Sequence, residues 1–344
     1  MATIIDNDAI TQGETELGFS HPAIIRCSSN LMFVGHINSS NELEIHKSTD
    51  GGETWTLNHT FTDLAGYNSF CLVPIDSTTA GVVYTSDNDH WKFYKTSDSG
   101  ASWVLKKEYD ASGYDVKKVF VSYNVNSNLL DIFWGYYGSG KYYLKCYYSS
   151  DKGESFSYSY YDYSGSSLFF YDVDKIETGG SKKFYTLYSS DSNKANLKVK
   201  PFTYSFGSLL YNFSESGYIY HNAQIVTDST GNDYIIYIKR NTSNSKEQLI
   251  VRKNGGSEIV LYDPDTSHIL VNGSLSIACD NDDNIYVYYT KKSDEKTYYK
   301  KYNAGTSQWE SEVKFIDVIN NRINTEKHVL AGSSRVNYIF YKQP

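Results

Sequence analysis

Short runs in which apolar and polar residues alternate recur along the chain, while no run keeps a helical period. Asp233-Tyr-Ile-Ile-Tyr-Ile-Lys239 and Asn284-Ile-Tyr-Val-Tyr-Tyr-Thr290 are two of them. Their residues are largely β-branched or aromatic, and turn residues close them off. Side chains with a period near two belong to strands, so the pattern predicts an all-β chain.

The punctuation between the runs is itself periodic. Three turns share one template: Ser48-Thr-Asp50-Gly-Gly52-Glu-Thr54-Trp55, Thr96-Ser-Asp98-Ser-Gly100-Ala-Ser102-Trp103 and Ser149-Ser-Asp151-Lys-Gly153-Glu-Ser155-Phe156. Hydroxyl and carboxylate groups in such a turn hydrogen-bond backbone amides and fold a hairpin locally. Glycine supplies the positive φ, and the closing ring anchors the turn in the layer beneath. Asp50, Asp98 and Asp151 are therefore expected to be structural, together with Gly52, Gly100, Gly153, Trp55, Trp103 and Phe156. Weaker echoes at Thr203-Tyr-Ser205-Phe-Gly207, Arg252-Lys-Asn254-Gly-Gly256 and Tyr302-Asn303-Ala-Gly305 continue the series, with steps of 48, 53, 54, 49 and 49 residues. A second series, Gly18, Gly66, Gly113, Gly165 and Gly217, steps by 48, 47, 52 and 52 and precedes apolar stretches. Two markers with one period predict tandem units of about fifty residues.

The template resembles the Asp box, or BNR repeat, of sialidases and related β-propellers. The resemblance is clear over residues 48–156. It implies a β-propeller in which each box joins the third and fourth strands of a blade on the outer rim. The expected architecture is a single propeller domain over residues 1–344. Seven four-stranded blades are favoured, because seven units of 49 residues match the steps and six of about 57 do not; six is the alternative. The last blade is expected to be shared by residues 1–17 and 318–344, so that the ring closes by pairing N- and C-terminal strands. Lys327-His-Val-Leu330 and Val336-Asn-Tyr-Ile-Phe-Tyr341 read as its inner strands, Thr3-Ile-Ile5 and Glu14-Thr-Glu-Leu17 as its outer ones.

Composition sharpens this picture. The 34 Tyr and only 5 Pro suit pleated, half-buried sheets. The net charge is −8, and the five Arg (Arg26, Arg240, Arg252, Arg322, Arg335) form no basic block, so nucleic acid is not an expected partner. Cys27, Cys71, Cys146 and Cys279 are widely separated and are expected to be buried free thiols. No signal peptide and no membrane insertion are expected, since no stretch has the required apolar length.

Candidate chemistry is sparse. The sialidase family opens on a Phe/Tyr-Arg-Ile-Pro motif whose Arg joins two others to hold the substrate carboxylate. The resembling stretch is Phe19-Ser20-His21-Pro22-Ala23, with Ser20 at the Arg position. A hydroxyl does not replace a bidentate guanidinium, so sialidase activity is not expected and no catalytic residue is assigned. Asp115 is a candidate for the family's Asp general acid, but a single carboxylate by itself means little. The inner-strand entrances carry polar residues in phase: His21, Asn68, Asp115, Tyr171 with Asp172, His221 with Asn222, Asn272 and His328. In a propeller these ring one mouth of the channel. His21, Asn68, Asp115, Asn222 and Asn272 are the ligand-site candidates, because a sugar needs hydrogen bonds for its hydroxyls and rings to stack on. The competing account is a channel lined by polar residues because water fills it. The stretch Tyr158-Ser-Tyr-Tyr-Asp-Tyr163, read as a loop, is the next candidate. Asp280-Asn-Asp282-Asp-Asn284 starts like a calcium loop but lacks its Gly, and Lys291 stands where a bidentate Glu belongs; a hairpin turn is expected. No His pair has zinc-ligand spacing, and no metal or cofactor is assigned.

These readings point to a non-enzymatic binding or attachment propeller that recognises glycans or a protein partner. The expected setting is a virion or extracellular surface, as for a phage tail or receptor-binding protein assembled with other virion proteins. A cytoplasmic location is the alternative. A sialidase-like glycoside hydrolase and a structural propeller in a larger assembly are the alternatives in function.

Overall fold

The structure, a computed structural model, describes residues 22–316 except 39, 65–68, 88, 112, 114, 139–140, 165–168, 176–183, 191–192 and 203–206, together with 322–325 and 338–341. All regular elements among these residues are strands, and no helix is long and apolar enough to cross a membrane. Blade one is β1 (Ile24–Arg26), β2 (Met32–Ile37), β3 (Leu43–Ser48) and β4 (Thr56–Phe61). Blade two is β5 (Phe70–Pro74), β6 (Ala80–Thr85), β7 (His90–Thr96) and β8 (Val104–Asp110). Blade three is β9 (Asp115–Asn124), β10 (Leu129–Gly138), β11 (Lys141–Ser149) and β12 (Ser157–Ser164). Blade four is β13 (Phe169–Lys175), β14 (Phe184–Ser189), β15 (Leu197–Phe202) and β16 (Tyr211–Phe213). Blade five is β17 (Tyr218–Thr227), β18 (Asp233–Asn241), β19 (Glu247–Lys253) and β20 (Ile259–Tyr262). Blade six is β21 (Leu270–Cys279), β22 (Ile285–Lys291) and β23 (Thr297–Asn303), with a split outer edge of β24 (Gln308–Trp309) and β25 (Val313–Ile316). Within each blade the strands pair antiparallel in chain order.

The first strands of successive blades pack side by side: β1 on β5, β5 on β9, then β13, β17 and β21 in turn. Blades two to five therefore bury both faces, one against each neighbour, and their central strands lose the alternation that a one-sided sheet would show. β6 and β14 are buried at every residue, whereas the outer strands β4 and β8 leave Leu57, Val104 and Leu105 exposed. The core is a series of inter-blade layers. One holds Phe33, Ile45, Phe70 and Val82; the next holds Trp91, Phe93, Ile132 and Trp134.

Six four-stranded blades are described, not the seven favoured from the repeat length. A two-stranded sheet of β26 (Arg322–Thr325) and β27 (Tyr338–Tyr341) follows, with β26 against β21. Dividing length by period assigns every residue to a blade, but only these two strands pair beyond residue 316 among the described residues. β27 falls within the expected 336–341, while the expected strand 327–330 lies outside the described residues, as do 1–17. The stretch Tyr158–Tyr163, expected as a loop, is part of the outer strand β12. It extends the sheet because its backbone pairs with β11.

The three template turns share one set of hydrogen bonds. In the second, Thr96 Oγ1 donates to Asp98 Oδ1 (2.8 Å) and accepts from Gly100 N (2.8 Å). Asp98 accepts from Ser102 N (2.9 Å) and Ser102 Oγ (2.6 Å). Ser48 with Asp50 and Ser149 with Asp151 repeat these contacts. Bonds from Ser102 and Thr96 hold the Asp98 carboxyl at about 2. The second turn also bolts onto blade one, where Asn58 accepts from Trp103 Nε1 (2.9 Å) and donates to Gly100 O (2.9 Å). A Cβ on Gly100 would meet Asn58 Oδ1 and the Phe33 ring at 2.8 Å, at a φ of +86°. Both demands exclude other residues.

The buried member of each turn is the hydroxyl residue, not the aspartate: Thr96 is 0% exposed, while Asp98 faces solvent. Thr96→Val should therefore cost about 1–3 kcal/mol, the range for an unsatisfied buried donor, and Asp98→Ala less. Urea unfolding of both variants checks the order; a larger loss for Asp98→Ala would put the weight of the turn on the carboxylate.

Candidate functional site

Template turns meet first-hairpin turns, as in Gly51 N to Asn30 O (2.9 Å) and Ser99 N to Thr78 O (2.9 Å), so both lie on one face of the disc. In an antiparallel meander the inner strands then begin at the opposite face. Gly113 (φ +86°) and Gly217 (φ +83°) stand just before β9 and β17, where the chain crosses from one blade to the next inner strand.

A feature that no linear pattern announced sits just inside this face. Four successive inner strands bulge at one level. Lys117 is the extra residue in β9, and Tyr171 in β13. In β17 the span His221–Gln224 opposes Ile236–Ile238, and in β21 the span Leu270–Leu275 opposes Tyr289–Lys291. A bulge breaks the ladder and re-aims side chains, and bulges gather beside functional sites. Here they coincide with the sequence candidates. Asp115 opens β9 and is half-buried; Asn222 lies in the β17 bulge with φ +51°; Asn272 lies in the β21 bulge. His21 and Asn68 fall outside the described residues.

Not every polar residue near the mouth is available to a ligand. Several tie one inner strand to the next. Ser69 Oγ accepts from Val119 N (3.1 Å), and Asp172 Oδ2 accepts from Ile225 N (3.0 Å). Asp174 Oδ2 accepts from Thr227 N (2.7 Å), while Gln224 accepts from Ile277 N (3.1 Å) and donates to Leu275 O (2.8 Å). Neighbouring inner strands do not pair with each other, so these side chains satisfy backbone groups that would otherwise be buried and unpaired. Tyr171 is fixed in the same way, its hydroxyl donating to Tyr220 O (2.8 Å).

One pair was missed by sequence reasoning. Glu247 at the start of β19 is buried, and its Oε1 lies 3.5 Å from Nε2 of the part-exposed His221. Neither atom has a hydrogen-bond partner among the described residues. Glu247 Oε2 accepts from Ile269 N (3.0 Å), and His268 Nδ1 lies 3.8 Å from Oε1. Burial alone would raise the Glu247 carboxyl, but the facing His221 and the Ile269 amide hold it below its ordinary value. The arrangement sets an imidazole facing a buried carboxylate within blade five, beside the start of blade six. It suits hydrogen bonding to a ligand, or proton transfer.

The Asp280–Asn284 stretch is the β21–β22 turn. Asp280 accepts from Asp282 N (2.9 Å), Asn284 N (2.9 Å), Asn284 Nδ2 (3.0 Å) and Tyr286 OH (3.1 Å). Asp228 caps the matching turn of blade five through Thr230 and Asn232. All four cysteines are buried and unbridged. Two clusters of metal-ligating side chains occur among the described residues, His36–Glu44–His46 and Asp87–Asp89–His90.

Comparison with known proteins finds the same architecture. No protein-family model and no curated protein sequence matches the chain. Among solved structures, an ulvan lyase bound to GlcA(1-4)Rha3S is similar over 94% of this chain and 88% of its own, at 10% identity and a TM-score of 0.62. YCF48 bound to D1 peptide covers 93% and 90% at 12% identity and a TM-score of 0.53. Aleuria aurantia lectin with Fucalpha1-6GlcNAc covers 85% and 94% at 10% identity and a TM-score of 0.52. The chain is a β-propeller. At these identities the likeness is one of fold, and the propeller's ligand must be argued from its own residues.

Proposed function

We propose that this propeller binds a glycan at the mouth where the inner strands of blades three to six begin. The observation that carries the reading is the in-phase bulge on those four strands, which falls at or beside Asp115, Tyr171, His221 and Asn222. Hydrogen-bonding groups beside a fixed aromatic ring are what sugar hydroxyls and pyranose faces require. The lectin and the ulvan lyase of similar fold are carbohydrate proteins by their own descriptions, which adds support. The template turns, similar to the Asp boxes of the sialidase-like superfamily, serve as hairpin staples away from the ligand. Attachment at an extracellular or virion surface is the setting proposed with this activity.

A glycan array followed by affinity measurements on the hits tests the proposal. Asn222→Gly is the informative variant, because glycine keeps the positive φ while the carboxamide is lost. It should weaken binding about tenfold, the loss of one good hydrogen bond, and Asp115→Asn should weaken it by a similar factor. Full affinity in both variants, or binding of peptides and no glycan, would remove the site from the mouth. Sialic acid should not be released, since Ser20 stands where sialidases carry their Arg.

The His221–Glu247 pair favours a second reading, a carbohydrate-active enzyme in which His221 moves a proton. Turnover of an array hit that His221→Gln abolishes, with binding retained, would establish it.

A further inference from the structure

His36 and Glu44 face each other across the β2–β3 hairpin, and His46 follows Glu44 by two residues on β3. All three side chains therefore leave one face of blade one. It is the face turned away from blade two, since Phe33, Leu43 and Ile45 of the other face enter the layer between blades one and two. Three atoms converge there. His36 Nε2 lies 3.0 Å from His46 Nε2 and 3.2 Å from Glu44 Oε2, and His46 Nε2 lies 3.3 Å from Glu44 Oε2. Both imidazoles are buried, at 6% and 8% exposure. Asn38 Nδ2 donates to Glu44 Oε1 (2.8 Å), which turns Oε2 toward the pair.

Protons do not satisfy this triangle. Each of its three contacts needs one proton between two atoms. An imidazole nitrogen brings at most one, and once protonated it has no lone pair with which to accept. With the carboxylate ionised, every choice of tautomers leaves at least one contact that sets lone pair against lone pair or N–H against N–H. A cation at the centre satisfies all three at once. Ligand atoms placed tetrahedrally around zinc at about 2.0–2.1 Å stand about 3.3 Å apart, close to the edges seen here.

We infer that His36, Glu44 and His46 form a divalent transition-metal site, of the zinc class that two imidazoles and a carboxylate suit. Asn38 orients the carboxylate as an outer-shell partner. The expectation that no His pair has zinc-ligand spacing looked along the chain, whereas the hairpin register brings the ligands together across it. The other cluster is a different object. His90 Nδ1 lies 2.7 Å from Asp87 and 2.8 Å from Asp89, and Asp89 also accepts from Gly113 N (3.0 Å), an ion pair complete in itself.

Equilibrium dialysis of the full chain against micromolar zinc tests the site. One zinc per chain is expected, with binding lost in His36→Asn and His46→Gln, unchanged in His90→Ala, and weakened about 10–100-fold in Asn38→Ala. Circular dichroism confirms that the variants fold. Cobalt substitution of the unmutated protein keeps the test independent of the variants: a tetrahedral d–d band is expected. No stoichiometric zinc together with no cobalt band would overturn the inference, as would zinc retained in the His36→Asn/His46→Gln double variant.

Discussion

Trp134→Ala should lose about 3–5 kcal/mol of folding stability, the range for truncating a large buried aromatic. Trp134 is 0% exposed and packs on Trp91 (ring centroids 5.1 Å apart), Tyr109 (5.0 Å) and Tyr147 (5.3 Å) between blades two and three. The cavity would open where two blades meet, and neither sheet can close it without moving its whole face. Trp134→Phe should cost far less, because it keeps a ring and removes an indole N–H that has no hydrogen-bond partner among the described residues. Chemical denaturation at neutral pH measures both. A loss below about 1 kcal/mol for Trp134→Ala would mean that the blades are free to collapse onto each other.

Asp131→Val should stabilise the propeller at pH 7 by about 1–3 kcal/mol, the usual cost of an unsatisfied buried polar group. Asp131 shares a face of β10 with Leu129 and Phe133, which belong to the layer between blades three and four. Neither carboxyl oxygen has a hydrogen-bond partner among the described residues, and burial pushes its pKa well above the ordinary value. Valine has one heavy atom fewer and suits a strand. The sign of the pH dependence follows from linkage. The unfolded carboxyl ionises from about pH 4 upward while the folded one stays neutral, so the wild type loses stability as pH rises through that value toward the folded pKa. The gain from Asp131→Val should accordingly shrink between pH 7 and pH 5. Destabilisation at pH 7, or a gain that grows toward acid, would show that Asp131 is ionised and paired.

Residues close in sequence explain what could be read early. The template turns fold through contacts between positions two to four apart, so Ser48–Asp50–Thr54 and its two copies declare themselves in linear order. A third series is equally local: Asp76, Asn124, Asp228 and Asp280 each cap the turn after an inner strand by accepting from the amide two residues on. The site was legible only in its phase. Asp115 and Asn222 recur at the right interval, but an extra residue in β17 becomes visible only against Ile236–Ile238 of the partner strand. Nothing near Glu247 in sequence marks it as the partner of His221, since the two lie on different strands.

The sequence by itself determined the all-β class, the tandem unit and the hairpin staples, because alternation and turn chemistry are local properties of the chain. Tertiary structure decided how many four-stranded blades form and which polar residues near the mouth are consumed in tying inner strands together. It also decided that His36, Glu44 and His46 meet. Those outcomes depend on register between strands and on contacts between blades, where one residue of shift sends a side chain to the opposite face.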